Sequence, residues 1–205
     1  GPQVKGKIVL FDVPFESYGK TVAYRSNGPS RAAQYGALAC LIRSVGSSSL
    51  NTPHTGALSY DAQWPKIPAA ALSLEHATLL RRMSESGQKV VVKLNMEAEQ
   101  LPDVEAGNVI GEITGSQNPQ DIIVLSGHLD SWDVGEGAHD DGAGCMQGIE
   151  VLRLYKQLGW KPKRTLRAVM WMNEENGLRG GQEYARVAKE RGEKHIAAIE
   201  SDSGG

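Results

Sequence analysis

Asp121-Ile-Ile-Val-Leu-Ser-Gly-His-Leu-Asp130 decides the fold. Residues 122–125 are an unbroken apolar run rich in β-branched side chains, which marks a strand buried on both faces. The chain then turns abruptly polar, with a histidine and an aspartate two positions apart. Alternate residues on extended backbone share a face, so Asp130 is placed to fix the orientation of the His128 imidazole. Buried strands that end in ionisable side chains belong to open α/β sheets, where ligands gather beyond the carboxyl ends of the strands.

The same transition recurs downstream. An apolar run over residues 165–172 leads into Asn173-Glu174-Glu175, and a shorter one over 196–199 leads into Glu200-Ser201-Asp202. A fourth polar cluster, Gly137-Ala-His-Asp140-Asp141-Gly142, precedes a helical pattern over residues 143–158. With a further helix expected over 179–191 and a strand over 108–113, the alternation predicts an α/β domain: a mixed, mostly parallel sheet sandwiched by helices. Upstream, strands are expected at 7–13, 39–42, 67–72 and 89–96. Ser30 is expected to cap a helix over 31–38, and Ser73 to precede an amphipathic helix over 74–86 that Gly87 closes. Residues 97–107 are acidic, contain Pro102 and Gly107, and follow neither period. The boundary falls there, giving a smaller α+β domain over 1–98 and the α/β domain over 99–205.

Composition narrows the partners. The 205 residues carry 22 basic and 24 acidic side chains, a formal charge of −2, so long-range attraction for nucleic acid is not expected. Arg81-Arg82 and the basic residues of 161–164 are short clusters that read as solvated margins. No apolar stretch reaches the roughly 20 residues needed to span a bilayer, and residues 1–10 lack the pattern of a signal peptide. Neither nucleic acid nor membrane is therefore an expected partner. The two cysteines, Cys40 and Cys145, fall in different halves and exclude a disulfide framework; each reads as a small buried hydrophobe.

The polar clusters point to a metal. Several carboxylates gathered beside an imidazole repel one another when ionised unless cations lie among them. One neutral imidazole with carboxylate oxygens suits a divalent ion, and zinc accepts that mixture with a position left for water. Adjacent glutamates can divide the labour, one binding metal while its neighbour takes a proton from water. Glu174 and Glu175 offer that pair. An isolated acid at a strand end is ordinarily just solvated; four clusters at successive strand or loop ends are harder to explain that way. Trp132, beside the His-x-Asp motif, reads as cleft lining or as core packing. Trp64, Trp160 and Trp171 read as packing, and His54, His76 and His195 as ordinary surface or partly buried histidines.

Taken together, Gly127-His-Leu-Asp130-Ser-Trp, Gly137-Ala-His-Asp140-Asp141-Gly-Ala-Gly144, Asn173-Glu174-Glu175-Asn-Gly-Leu-Arg-Gly-Gly181 and Glu200-Ser-Asp202 resemble the co-catalytic zinc aminopeptidase family. The first half is similar in layout to the protease-associated domain that many members carry. The resemblance implies two zinc ions, with Asp140 bridging them, His128 and Asp202 on one and Glu175 on the other. It further implies Glu174 as general base, Asp130 as partner of His128, and a cis peptide bond after Asp140.

The family's remaining histidine ligand comes from a later segment, so the chain to Gly205 reads as part of a longer protein and is expected to be inactive alone. The implied reaction is hydrolysis of small peptides by a water bridging the two metals, as an aminopeptidase or dipeptidase. The resemblance also implies secretion, a periplasmic or a lysosomal location, and a homodimer; the sequence carries no Asn-x-Ser/Thr sequon. Two alternatives stay open: a receptor-like protein-binding module without catalysis, and a cyclase-type acyltransferase with one zinc on the same fold.

Overall fold

The computed structural model describes residues 2–48, 50–132 and 135–202. The chain divides into two compact units, Gly1–Leu101 and Pro102–Gly205.

In the first unit, β1 (Ile8–Phe11), β2 (Ala39–Arg43) and β3 (Ala69–Leu72) form a parallel sheet in that order. The central strand β2 is the apolar run Ala-Cys-Leu-Ile, buried throughout, as a strand covered on both sides must be. Two helices accompany the sheet, α1 (Tyr18–Ala33) and α2 (Leu74–Glu85). Ser73 caps α2 by accepting from His76 N, and Gly87 follows with φ +79, so both signals expected at its ends operate. The core gathers Ala32, Ala33, Cys40, Ile42 and Ile67, with Phe11 and Trp64 packed against it.

Two expectations for this unit fail. Ser30 does not open a helix: α1 starts at Tyr18, contains Pro29 and ends at Ala33. Buried Thr21, Arg25, Gly28 and Ala32 follow a helical spacing, and Gly28 lies so close to Phe11 that a Cβ there would meet the ring at 2.9 Å. Tertiary packing of that face outweighs the breaker signal of Gly28-Pro29. Ser30 Oγ instead accepts from Asp61 N at 2.8 Å and so fastens a loop. Residues 89–96 form no strand either, and Val91 is 78% exposed. β-branched composition favours extended backbone, but a strand needs a partner ladder, and no described residue supplies one.

The second unit is the expected α/β sandwich. Its strands are β4 (Val109–Ile113), β5 (Asn118–His128), β6 (Arg164–Trp171) and β7 (Lys194–Glu200), in the order β4-β6-β5-β7. β4 runs antiparallel to β6, while β5 is parallel to both of its neighbours. Alternation along β6 sends Val169 and Trp171 to one face, against Tyr184 of α4 (Arg179–Glu190). Ala168 and Met170 go to the other, against Cys145 and Leu152 of α3 (Gly142–Gln157). A Cβ on Gly148 would sit 3.3 Å from the Leu125 carbonyl, so α3 lies close along β5. Because β5, β6 and β7 are parallel, their carboxyl ends at His128, Trp171 and Glu200 lie on the same edge of the sheet.

Candidate metal centre

His128 is the last residue of the inner strand β5, 1% exposed. Its Nδ1 lies 2.8 Å from the backbone carbonyl of Asp130. A carbonyl only accepts, so Nδ1 carries a hydrogen and, in the neutral ring, Nε2 presents its lone pair. That lone pair faces carboxylates: Asp140 Oδ1 at 3.1 Å, Asp202 Oδ1 at 3.3 Å and Glu174 Oε2 at 3.9 Å. Lone pair against carboxylate is repulsive unless a proton or a metal cation lies among them.

The expected role of Asp130 is thus performed by its backbone rather than its carboxylate, which is 3.8 Å from Nδ1. The carboxylate reaches across to the end of β6. Its Oδ1 accepts from Glu174 N at 2.9 Å and its Oδ2 from Glu175 N at 3.2 Å. One residue therefore sets the imidazole through its carbonyl and the glutamate pair through its side chain.

Asp140 and Asp141 are joined by a cis peptide bond, as the family resemblance implies. Their side chains part: Asp140 is 63% exposed beside Nε2, while Asp141 is 1% exposed. Glu175 carries a buried Oε1 that no protein donor reaches, and its carboxylate takes a hydrogen bond from the Trp132 side chain. Ligand atoms of His128, Asp140 and Glu175 all lie within 4.8 Å of one another, as do those of His128, Asp141 and Asp202. The four residues expected to bind metal thus stand together at one end of the sheet. An orphaned buried carboxylate oxygen and a lone pair ringed by acids fit a divalent cation.

Electrostatics carry the same signature. Burial lowers the His128 imidazole, but the Asp130 carbonyl and the charges of Glu174, Asp141 and Asp202 outweigh it, so the net shift is upward. Burial and the neighbouring acids push Glu174, Glu175 and Glu200 above the ordinary carboxylate range, with the His128 charge opposing them. These are the directions expected of acids crowded in a partly dry site, and a bound cation would reverse them.

His195 Nε2 pairs with Tyr184 OH at 2.8 Å, His54 Nδ1 with Arg25 at 3.0 Å, and His76 is in the first turn of α2. Both cysteines are buried and free, and burial raises their thiols to about 12 at Cys40 and about 11 at Cys145. Sequence reasoning assigned Asp141 no role of its own. An acid next to a ligand looks like one more exposed carboxylate until the backbone shows it turned inward.

Residues 108–205 match the family model described as peptidase family M28. Carboxypeptidase Q of Bos taurus is 46% identical over 204 residues, which is 100% of this chain and 43% of that protein. The crystal structure of a peptidase M28 precursor from Shewanella amazonensis SB2B aligns with a TM-score of 0.94 and 38% identity, over 99% of this chain and 47% of that one. A zinc aminopeptidase from Bacillus subtilis aligns at a TM-score of 0.61 and 22% identity, over 98% and 45%, which shows a common fold. The chain thus spans less than half the length of these relatives. The resemblance carried by the four motifs is borne out, and the mixed, mostly parallel sheet with its helices is the fold of these peptidases.

Proposed function

We propose, from the match of residues 108–205 to peptidase family M28, that the protein is a zinc-dependent exopeptidase acting on small peptides, as an aminopeptidase or dipeptidase. The observation that carries this reading is the His128 Nε2 lone pair, held by the Asp130 carbonyl so that it faces Asp140 and Asp202 at 3.1 and 3.3 Å. In this reading His128, Asp140, Asp202 and Glu175 would hold zinc. When bound, zinc supplies a Lewis acid that polarises a carbonyl and acidifies water.

The remaining work falls to the chain. Glu174 lies beside the cluster with its carboxylate raised by burial and by Asp202 and Asp130, against the opposing His128. Its neighbour Glu175 keeps an oxygen free of protein donors. The division of labour follows: Glu175 binds, and Glu174 takes a proton from water and returns it to the leaving amine. Asp130 accepts from both backbone amides of the pair, which ties the Glu174–Glu175 segment after β6 to the segment after β5. The first unit is proposed as a protease-associated domain, supported by its parallel three-stranded sheet with two helices. Export from the cytoplasm is proposed on the precursor description of the Shewanella protein.

Metal content and dipeptide hydrolysis of the full-length protein test this, with Glu174→Gln as the variant. Two zinc ions per chain, with kcat reduced about 10²–10⁴-fold in the variant at unchanged metal content, is the expected result. One zinc or none, with a broad peptide panel left intact, would sink the reading.

A further inference from the structure

The backbone of His128 is held from both sides by the first turn of α3. Its N–H donates to Asp141 Oδ2 at 2.8 Å, and its carbonyl accepts from the Cys145 thiol at 3.1 Å. Asp141 Oδ1 accepts from Gly144 N at 3.1 Å and caps the helix. Both carboxylate oxygens are therefore engaged by backbone donors, although Asp141 lies close enough to His128 and Asp202 to enter a metal cluster. A carboxylate 1% exposed whose two oxygens are both taken acts as a brace rather than a ligand.

The neighbouring sequence is shaped around it. A Cβ on Gly127 would run into the α3 backbone at Cys145 N and would meet Asp141 Oδ2 at 2.5 Å. A Cβ on Gly144 would meet the two Asp141 oxygens at 2.5 and 2.6 Å and would run into the Ser201 carbonyl. Two glycines from different elements thus leave room for one inward carboxylate, and the second of them also admits the segment that carries Asp202.

We infer that Asp141 is a positioning residue: it fixes the end of β5 against the start of α3 so that the His128 imidazole and Asp140 meet at one point. The inference rests on the metal-site reading of His128 and Asp140. It separates two tasks that a single acid pair performs, since Asp140 faces outward to the cluster and Asp141 faces inward to the backbone. A helix cap alone would need only the Gly144 contact; the bond to His128 N is the part that serves the site.

Asp141→Ser in the full-length protein distinguishes the two tasks, because serine caps helices well but is too short to reach His128 N. The measurements are zinc affinity by competition with a chromophoric chelator, the visible spectrum of the cobalt-substituted protein, and near-ultraviolet circular dichroism of the metal-free form. The expected result is zinc affinity weakened about 10–100-fold and an altered cobalt spectrum, with the metal-free dichroism native. Zinc affinity and cobalt spectrum equal to wild type would overturn the inference. Loss of native dichroism in the metal-free variant would overturn it as well, by making Asp141 a residue that holds the fold. The wild-type arm reports on the metal-site reading separately: a wild-type protein that binds neither metal removes the premise itself.

Discussion

Arg25 is 7% exposed and donates from Nη1 to His54 Nδ1 at 3.0 Å and to the Thr55 carbonyl at 2.8 Å, and from Nη2 to Tyr18 OH at 3.0 Å. Guanidinium has no lone pair to offer, so His54 must accept at Nδ1 and be neutral in the folded protein. Burial first, and the Arg25 charge second, hold this imidazole below its ordinary value. A depressed folded pKa means the contribution to stability is complete above the unfolded value of about 6.5 and is lost as pH falls through the folded one. Thermal unfolding of the full-length protein between pH 7.5 and 5 should therefore show the transition of the first unit moving down in temperature. His54→Gln, which keeps an acceptor but does not titrate, should flatten that dependence; an equal slope in the variant would remove His54 from the account. Gly56 belongs to the same arrangement, since it stands at φ +148 and any Cβ there would collide with the Arg25 guanidinium. None of this was legible from residue identities, because Arg25 and His54 are 29 positions apart and no local pattern pairs them.

Between elements, Arg167 is the tie that the strand pattern conceals. It sits mid-way along β6 and donates to Glu112 of β4 at 2.9 Å, to Tyr184 OH of α4 at 2.8 Å and to Glu193 at 2.7 Å, with its side chain 13% exposed. Arg167→Met keeps the stem and removes the donors, leaving Glu193, itself 19% exposed, without this partner. Hydrogen bonds to charged groups of this kind contribute about 1.5–3 kcal/mol. A loss of about 2 kcal/mol in urea unfolding of the full-length protein is expected; an unchanged midpoint would show the network to be worth nothing net. The expected element order of the second unit was legible throughout, because β5, β6 and β7 carry apolar runs with polar ends and each helix has its own period. In the first unit the start of α1 and the supposed strand at 89–96 were not. Packing against Phe11 carries α1 through Gly28-Pro29, and 89–96 lacks a pairing strand, and neither fact is local.

At the scale of the whole molecule, every residue of the candidate metal cluster lies in the unit Pro102–Gly205, and none in Gly1–Leu101. A ligand that binds only the folded form stabilises it by mass action, about 2.7 kcal/mol at a free concentration 100 times its dissociation constant. Chelation should accordingly lower the calorimetric transition of the second unit and leave that of the first in place. A single transition that shifts as one body on chelation would contradict this. The sequence by itself determined that the second half is an α/β sheet with ionisable residues at its strand ends, and which residues those are, since periodicity and chain order are local properties. Only the tertiary structure decided how they divide: that Asp130 serves the imidazole with its carbonyl and the glutamates with its carboxylate, and that Asp140 turns out while Asp141 turns in. Hydrogen-bond direction and burial depend on what stands opposite each group, and what stands opposite is supplied by other strands and by α3.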